Sequence, residues 1–313
     1  MTDAATARRL TKPLLFAALL VAGEVALITG SAAFFRAMNA DIPDNLLEGL
    51  LPGVDDPTLR AEALHARLAW IVSVVFAIFA SVGATVLALT KIMKEAEPLR
   101  RWLLIAVAGL AFVTALVASG SDVSREVLQK PVLLPTLGSW TVGGIEVAGT
   151  FAGIRQVVNA LFSAATVALV LALASRAAIG ATQELNQGRP LTWRERHADL
   201  HELLLAAAAV LVSIVITMAA WLTWPKAGLA HDSSAWLTLD HLAQGVGLYW
   251  GGVFSLCLVL AYLPSVAYLK HLEGRQAVET AEAGAGGRQV KLLQDVVALL
   301  SPFISALVPV LLI

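Results

Sequence analysis

Charge is scarce in this chain. Asp, Glu, Lys and Arg make up 14% of its 313 residues, against about 25% in soluble domains. So few charges cannot cover a water-facing surface, and much of the exterior must face something other than water. No basic run is present and the formal net charge is −1, which leaves no electrostatic footprint for nucleic acid. The single cysteine, Cys257, excludes an internal disulfide. No histidine falls well inside an apolar run, which argues against a haem held between membrane helices. The signatures of common enzymes are missing too: there is no P-loop, no G-x-G-x-x-G after a strand, no G-x-S-x-G and no H-E-x-x-H. Ser163 and Ser255 have no histidine at comparable depth to act as base. The chain is therefore expected to be no enzyme and to need no cofactor or metal.

What the chain has in excess is apolar sequence. Hydrophobic residues fill 58% of positions and the mean hydropathy is +0.76. Charge-poor runs recur at residues 13–35, 68–90, 102–118, 157–175, 203–224 and 243–269. Each is near the roughly 20 residues that carry a helix across about 30 Å of hydrocarbon. Lipid offers no partner to backbone N–H and C=O groups, so these runs must be helices. They do not alternate as barrel strands do. The predicted fold class is all-α, a polytopic integral membrane bundle of six or seven transmembrane helices.

The first run could also be read as a signal peptide, with Arg8, Arg9 and Lys12 ahead of it and a Ser31-Ala32-Ala33 cleavage site. Its length and the charge of Glu24 within it favour a retained helix. With the N-terminus in the cytoplasm, 15 of the 22 Lys and Arg lie on the inner side and seven on the outer, the asymmetry of the positive-inside rule. Trp70, Trp102, Trp221 and Trp224 fall at span ends, where an interfacial aromatic belt would place them. Low Lys and abundant Ala and Leu suggest a bacterial inner (plasma) membrane.

Residues 1–269 are expected to form the six-span domain, 270–288 a cytoplasmic linker with a flexible Ala-Gly-Ala-Gly-Gly stretch, and 289–313 a C-terminal segment. In that segment Val290, Leu293, Val297 and Leu300 recur at helical spacing. Pro302 is expected to interrupt the helix, leaving 11 residues, too few to span alone. Either the segment is a seventh, kinked span with Asp295 near the inner face, or it lies at the inner interface and tucks its tail into the bundle. Elsewhere, Asp56-Pro57 starts a helix ahead of the second run, and Gly143-Gly144 centres a short strand pair within 139–147. Thr192 and Glu195 fit a capping box whose helix continues into the fifth run.

Glu24 lies near the middle of an otherwise uncharged 23-residue run. A lone carboxylate at that depth is costly unless paired, protonated or wetted, and so marks a place for function. Arg155, Asn159, Ser163 and Thr166 share one face of the fourth span. Gln244, Gly247, Gly251, Ser255 and Tyr262 form a stripe on the sixth, and the fifth adds Ser213 and Thr217. Such faces turn inward, either as interhelical hydrogen-bond glue or as a lining. Glu24, Arg155, Asn159 and Ser163 are the candidate ion-binding or lining residues, with Asp295 a more distant addition. Gly247 and Gly251 permit close helix approach, within the chain or between copies. His197 and His201, one turn apart, read as a solvated face. His231, Asp232, Asp240 and His241 cluster in the third outer loop, as a metal or proton-entry site at most.

Two functions compete. One is a transporter or channel using the intramembrane carboxylate. The other is a non-catalytic membrane subunit or membrane-perturbing effector that works through oligomerisation or partners. The expected partners are the bilayer and a second copy or another membrane protein.

Overall fold

The computed structural model describes residues 2–38, 57–95, 97–120, 141–142, 145–177, 192–277 and 296–306. The chain is an all-α bundle. Its helices are α1 (Thr2–Met38), α2 (Pro57–Met93), α3 (Glu97–Gly120), α4 (Val147–Ala177), α5 (Trp193–Lys226), α6 (Ser234–Ala277) and the short α7 (Val296–Ala306). Among the described residues, α1, α2, α4, α5 and α6 are long and apolar enough to cross a membrane. The predicted third span is helical as α3 but is not among these five.

Local chemistry sets several boundaries where the sequence places them. α2 begins at Pro57, whose fixed φ and missing N–H suit a first helical position. At the start of α5, Glu195 N–H donates to Thr192 Oγ1 at 3.3 Å, while Thr192 N–H donates to Glu195 Oε2 at 2.7 Å. This reciprocal cap opens a continuous 34-residue helix. The expected strand pair is present as β1 (Thr141–Val142) and β2 (Ile145–Glu146), antiparallel, with Thr141 opposite Glu146.

α2 shows which way the bundle faces. Leu64, Leu68, Ile71, Val75, Phe79, Val82 and Val86 recur every three or four residues and are exposed. Ala63, Ala66, Ser73, Ala77, Ser81, Ala84 and Ala88 are buried on the other side. A soluble helix would reverse this arrangement; large apolar groups outside and small ones inside suit lipid contact and close helix packing. α4 differs: from Val167 to Ala177 it is buried on every side, its leucines and valines along with Ala168, Ala172 and Ala174. α5 lies between α2 and α6 and also touches α4.

The C-terminal helix corrects one expectation. Pro302 does not end it: α7 runs through Pro302 to Ala306. Proline leaves the carbonyl four residues back without its helical donor. Ser301 Oγ–H takes that place, donating to Ala298 O at 2.7 Å. The next N–H, that of Phe303, donates to Ser255 Oγ on α6 at 3.2 Å. A Cβ placed on Gly251 would come within 2.8 Å of Pro302 O and of Ala306 Cβ, and Gly247 faces Ala306 O at 4.0 Å. The Gly-x-x-x-Gly of α6 is thus engaged by α7 of the same chain, which runs antiparallel along α6. Residues 289–295, with Asp295, and 307–313 lie outside the described residues.

The glycine contact is directly testable. Gly251→Val should lower the thermal unfolding midpoint in mild detergent by several degrees, from roughly 1–3 kcal/mol of overpacking. Gly245→Ala, where a Cβ meets nothing within 4 Å, should leave the midpoint unchanged or slightly higher. An unchanged midpoint for Gly251→Val would show that α7 is not seated there.

Candidate functional site

α1 carries Glu24 into the bundle with 5% of its surface exposed. The carboxyl borders a small cavity of about 30 Å³ shared with Phe162 and Thr166 of α4, Val210 of α5, and Phe254 and Cys257 of α6. That volume holds one or two water molecules. Val210 is at the centre of α5, which places Glu24 at the level of the bundle's middle. The Cys257 thiol is hydrogen-bonded to the Glu24 carboxyl, while Glu24 Oε1 has no hydrogen-bond partner among the described residues. The Thr166 hydroxyl donates to Phe162 O at 2.9 Å, so its proton is committed to its own helix. The site is a carboxyl group in a small, mostly apolar chamber, with a soft thiol beside it and room for little else.

The other sequence candidates are arranged differently. Of the α4 stripe, Thr166 borders the Glu24 cavity. Asn159 and Ser163 are half-buried on α4 and are not part of its wall. The Arg155 side chain lies outside the described residues. The α6 stripe is used in packing: Gly247, Gly251 and Ser255 receive α7, and Gln244 donates to Asp240 at 2.9 Å. Ser213 bonds Val210 O, and Thr217 lies against the carbonyls of Ser213 and of Ser73 on α2, at 2.8 and 3.1 Å. His197 pairs with Glu273 at 3.3 Å. In the third-loop cluster, His231 meets Glu62 at 3.3 Å while Asp240 meets Lys226 at 2.5 Å, so the histidine and the aspartate serve separate pairs.

The largest polar feature was not singled out by the sequence. At one end of the bundle six charges converge. Lys91 ends α2, Glu95 follows it, Arg176 ends α4, and Arg196, Asp199 and Glu202 occupy the first turns of α5. Arg176 is 0% exposed and Arg196 4%. Lys91 Nζ binds Asp199 Oδ1 and, at 2.5 Å, Glu202 Oε2. Arg176 reaches Glu95 Oε1 and Asp199 Oδ2, each at 3.4 Å, and donates to the carbonyl of Lys91. Arg196 stands within Coulomb range of Glu95 and Asp199.

Three cations face three anions, so the group is neutral as a whole, which is what makes its burial tolerable. Burial pushes the Glu95 carboxyl above the usual carboxylate range, against the opposing pull of Arg176 and Arg196. Asp199 lies eleven residues from Val210, about 16 Å along the helix. That is the edge of a hydrocarbon core about 15 Å thick on each side. The signal was present in the sequence: basic residues close two spans, and Arg196 and Asp199 share a face at i, i+3 on a third. Their pairing partners, however, are scattered along the chain.

No protein-family model, curated protein or solved structure matches this chain.

Removing one member of the neutral group should expose its internal debt. Asp199→Asn leaves Lys91 and Arg176 short of an anion and should cost about 3–5 kcal/mol. Glu202→Gln removes a carboxylate that is 54% exposed and should cost less than about 1 kcal/mol. Comparing the heat-induced aggregation of the two variants decides it; equal losses would mean that Asp199 is not a shared partner.

Proposed function

We propose that this protein is a proton-coupled membrane carrier, with Glu24 as the group that takes up and releases the proton. The observation that supports it is the Glu24 carboxyl, buried at mid-bundle in a water-sized chamber with an unpartnered oxygen. An ionised carboxylate there needs water or a cation, whereas a neutral carboxylic acid tolerates the apolar walls. A proton fits the chamber better than a metal ion does. Hard cations want six or more oxygen ligands, and this wall supplies one carboxyl, one committed hydroxyl and a thiol. The chamber has room for one or two waters and not for a continuous water column, which suits a carrier that changes shape rather than an open channel.

The elements divide accordingly. α2, α4 and α5 are bound into a block by the six-charge group. α1 packs against both α4 and α6. It is held to α6 by stacking of Phe16 on Tyr268 at 4.9 Å, by Phe35 against Tyr249 at 5.4 Å, and by Tyr249 O–H donating to Ser31 O at 2.7 Å. These contacts lie on either side of Glu24 along α1 and act as pivots. Protonation lets α1 close on the block; deprotonation favours an arrangement that admits water to the carboxylate. The distribution of Lys and Arg supports an N-terminus and an Arg176 end that face the cytoplasm.

Wild-type protein in liposomes should dissipate an imposed pH gradient, read by an entrapped pH-sensitive dye, with the membrane potential held at zero. Glu24→Gln should reduce the rate at least tenfold, and Glu24→Asp should keep part of it. Infrared titration should show a carboxylic-acid band that Glu24→Gln removes. Wild-type flux in a well-folded Glu24→Gln variant would end this proposal.

A further inference from the structure

A second cavity lies on the face of α5 turned away from Glu24. Its volume is about 850 Å³, within the roughly 300–1,000 Å³ of small-molecule sites. α2 and α5 form its walls, and Ser305 of α7 touches it. Its floor is built largely of small side chains, Ala69 and Ala220 among them, with Ile216 at the deep end. Its rim holds Glu62, Lys226, His231 and Trp236.

Depth divides the two parts. Ile216 is six residues from Val210, about 9 Å along α5, and Lys226 is sixteen residues away, about 24 Å. The hydrocarbon edge falls between them, about 15 Å from the centre. The deep end of the floor is therefore at acyl-chain depth, Ala220 is at the hydrocarbon edge and the rim is at headgroup depth. From Ile216 to Lys226 the cavity extends about 15 Å along α5, with its charged groups gathered at the outer end.

The rim also has a sign. Lys226 is answered by Asp240 at 2.5 Å and sits 4.6 Å over the Trp236 ring. Arg67 lies on α2 over the Trp224 ring at 5.8 Å and is not part of the cavity wall. Glu62 is met by the His231 imidazole at 3.3 Å, and its side chain is 49% exposed. His65, also in the wall, carries no formal charge when neutral. The carboxylate of Glu62 is thus the one rim charge, among the described residues, with no lysine or arginine paired to it.

We propose that this cavity binds a single-chain amphipathic cation, its ammonium group against Glu62 and its apolar chain along the α2–α5 floor. The volume suits a drug-sized molecule, and the length matches a medium alkyl chain. α5 separates this site from Glu24, so the two sites are independent.

The test uses the full chain in phosphatidylcholine nanodiscs, without a proton gradient, and radiolabelled dodecyltrimethylammonium. The expected result is saturable binding above empty discs, displaced at least tenfold more readily by unlabelled alkylammonium than by dodecyl sulfate or dodecyl maltoside. Glu62→Gln should weaken binding about tenfold. Ala220→Phe or Ala69→Phe, whichever retains the wild-type unfolding midpoint, should abolish it by filling the floor. Equal displacement by all three headgroups would reduce the cavity to a lipid-filled groove and overturn the proposal. Unchanged affinity in Glu62→Gln would overturn it too. Binding that appears only after removal of residues 307–313 would assign the cavity to the chain's own tail, with the same consequence.

Discussion

The fold depends on a neutral group of six charges gathered at one end of the helices, five of them buried. Each of those five taken alone would cost several kcal/mol to hold away from water, and only mutual pairing offsets that. Pairing demands that α2, α4 and α5 stand at one height and one rotation. Lys91 must reach Asp199, Arg176 must reach both Glu95 and Asp199, and the Arg176 guanidinium must also find the carbonyl that ends α2. Packing among alanines and leucines tolerates many rotations of similar energy. The charged group tolerates few, because a one-residue slip leaves a buried guanidinium without its carboxylate.

Once those three helices are set, the rest has little freedom. α4 is buried on every side along its second half, with fully buried alanines that admit its neighbours closely. α5 then divides the interior. The face with Ala207, Val210 and Leu211 borders the Glu24 chamber, and the face with Ile216, Ala220 and Thr223 borders the larger cavity. One helix thereby separates a water-sized site from a ligand-sized one. The glycines of α6 complete the assembly by admitting α7, whose proline is made tolerable by Ser301 and by Ser255 across the interface. Three polar side chains that could have lined a path, Ser213, Thr217 and Ser255, instead serve backbone groups. Lipid offers those hydroxyls no other partner.

Much of the fold was legible in the chain itself. Charge-poor runs of about 20 residues require helices in lipid whatever they pack against, so the all-α membrane bundle follows from hydropathy. Pro57 and the Thr192–Glu195 cap are equally local, since proline's fixed φ acts at its own residue and the cap's hydrogen bonds close within one turn. Of the site, Glu24 was legible because a lone carboxylate in an apolar run is anomalous without any knowledge of its neighbours. Its surroundings were not. The stripe of Asn159, Ser163 and Thr166 does share a face of α4, yet helical spacing cannot say which part of that face meets α1; of these three, Thr166 borders the chamber.

The sequence by itself determined that this chain is a helical membrane protein with one anomalous carboxylate at mid-depth, because those properties depend on residues close together along the chain. Only the tertiary structure decided what Glu24 faces, that Pro302 continues a helix, that Gly251 receives the chain's own C-terminal helix, and that six charges from three segments neutralise one another. Lys91 and Asp199 are 108 positions apart. Nothing local to either names the other, since their pairing is fixed by the relative height and rotation of two helices.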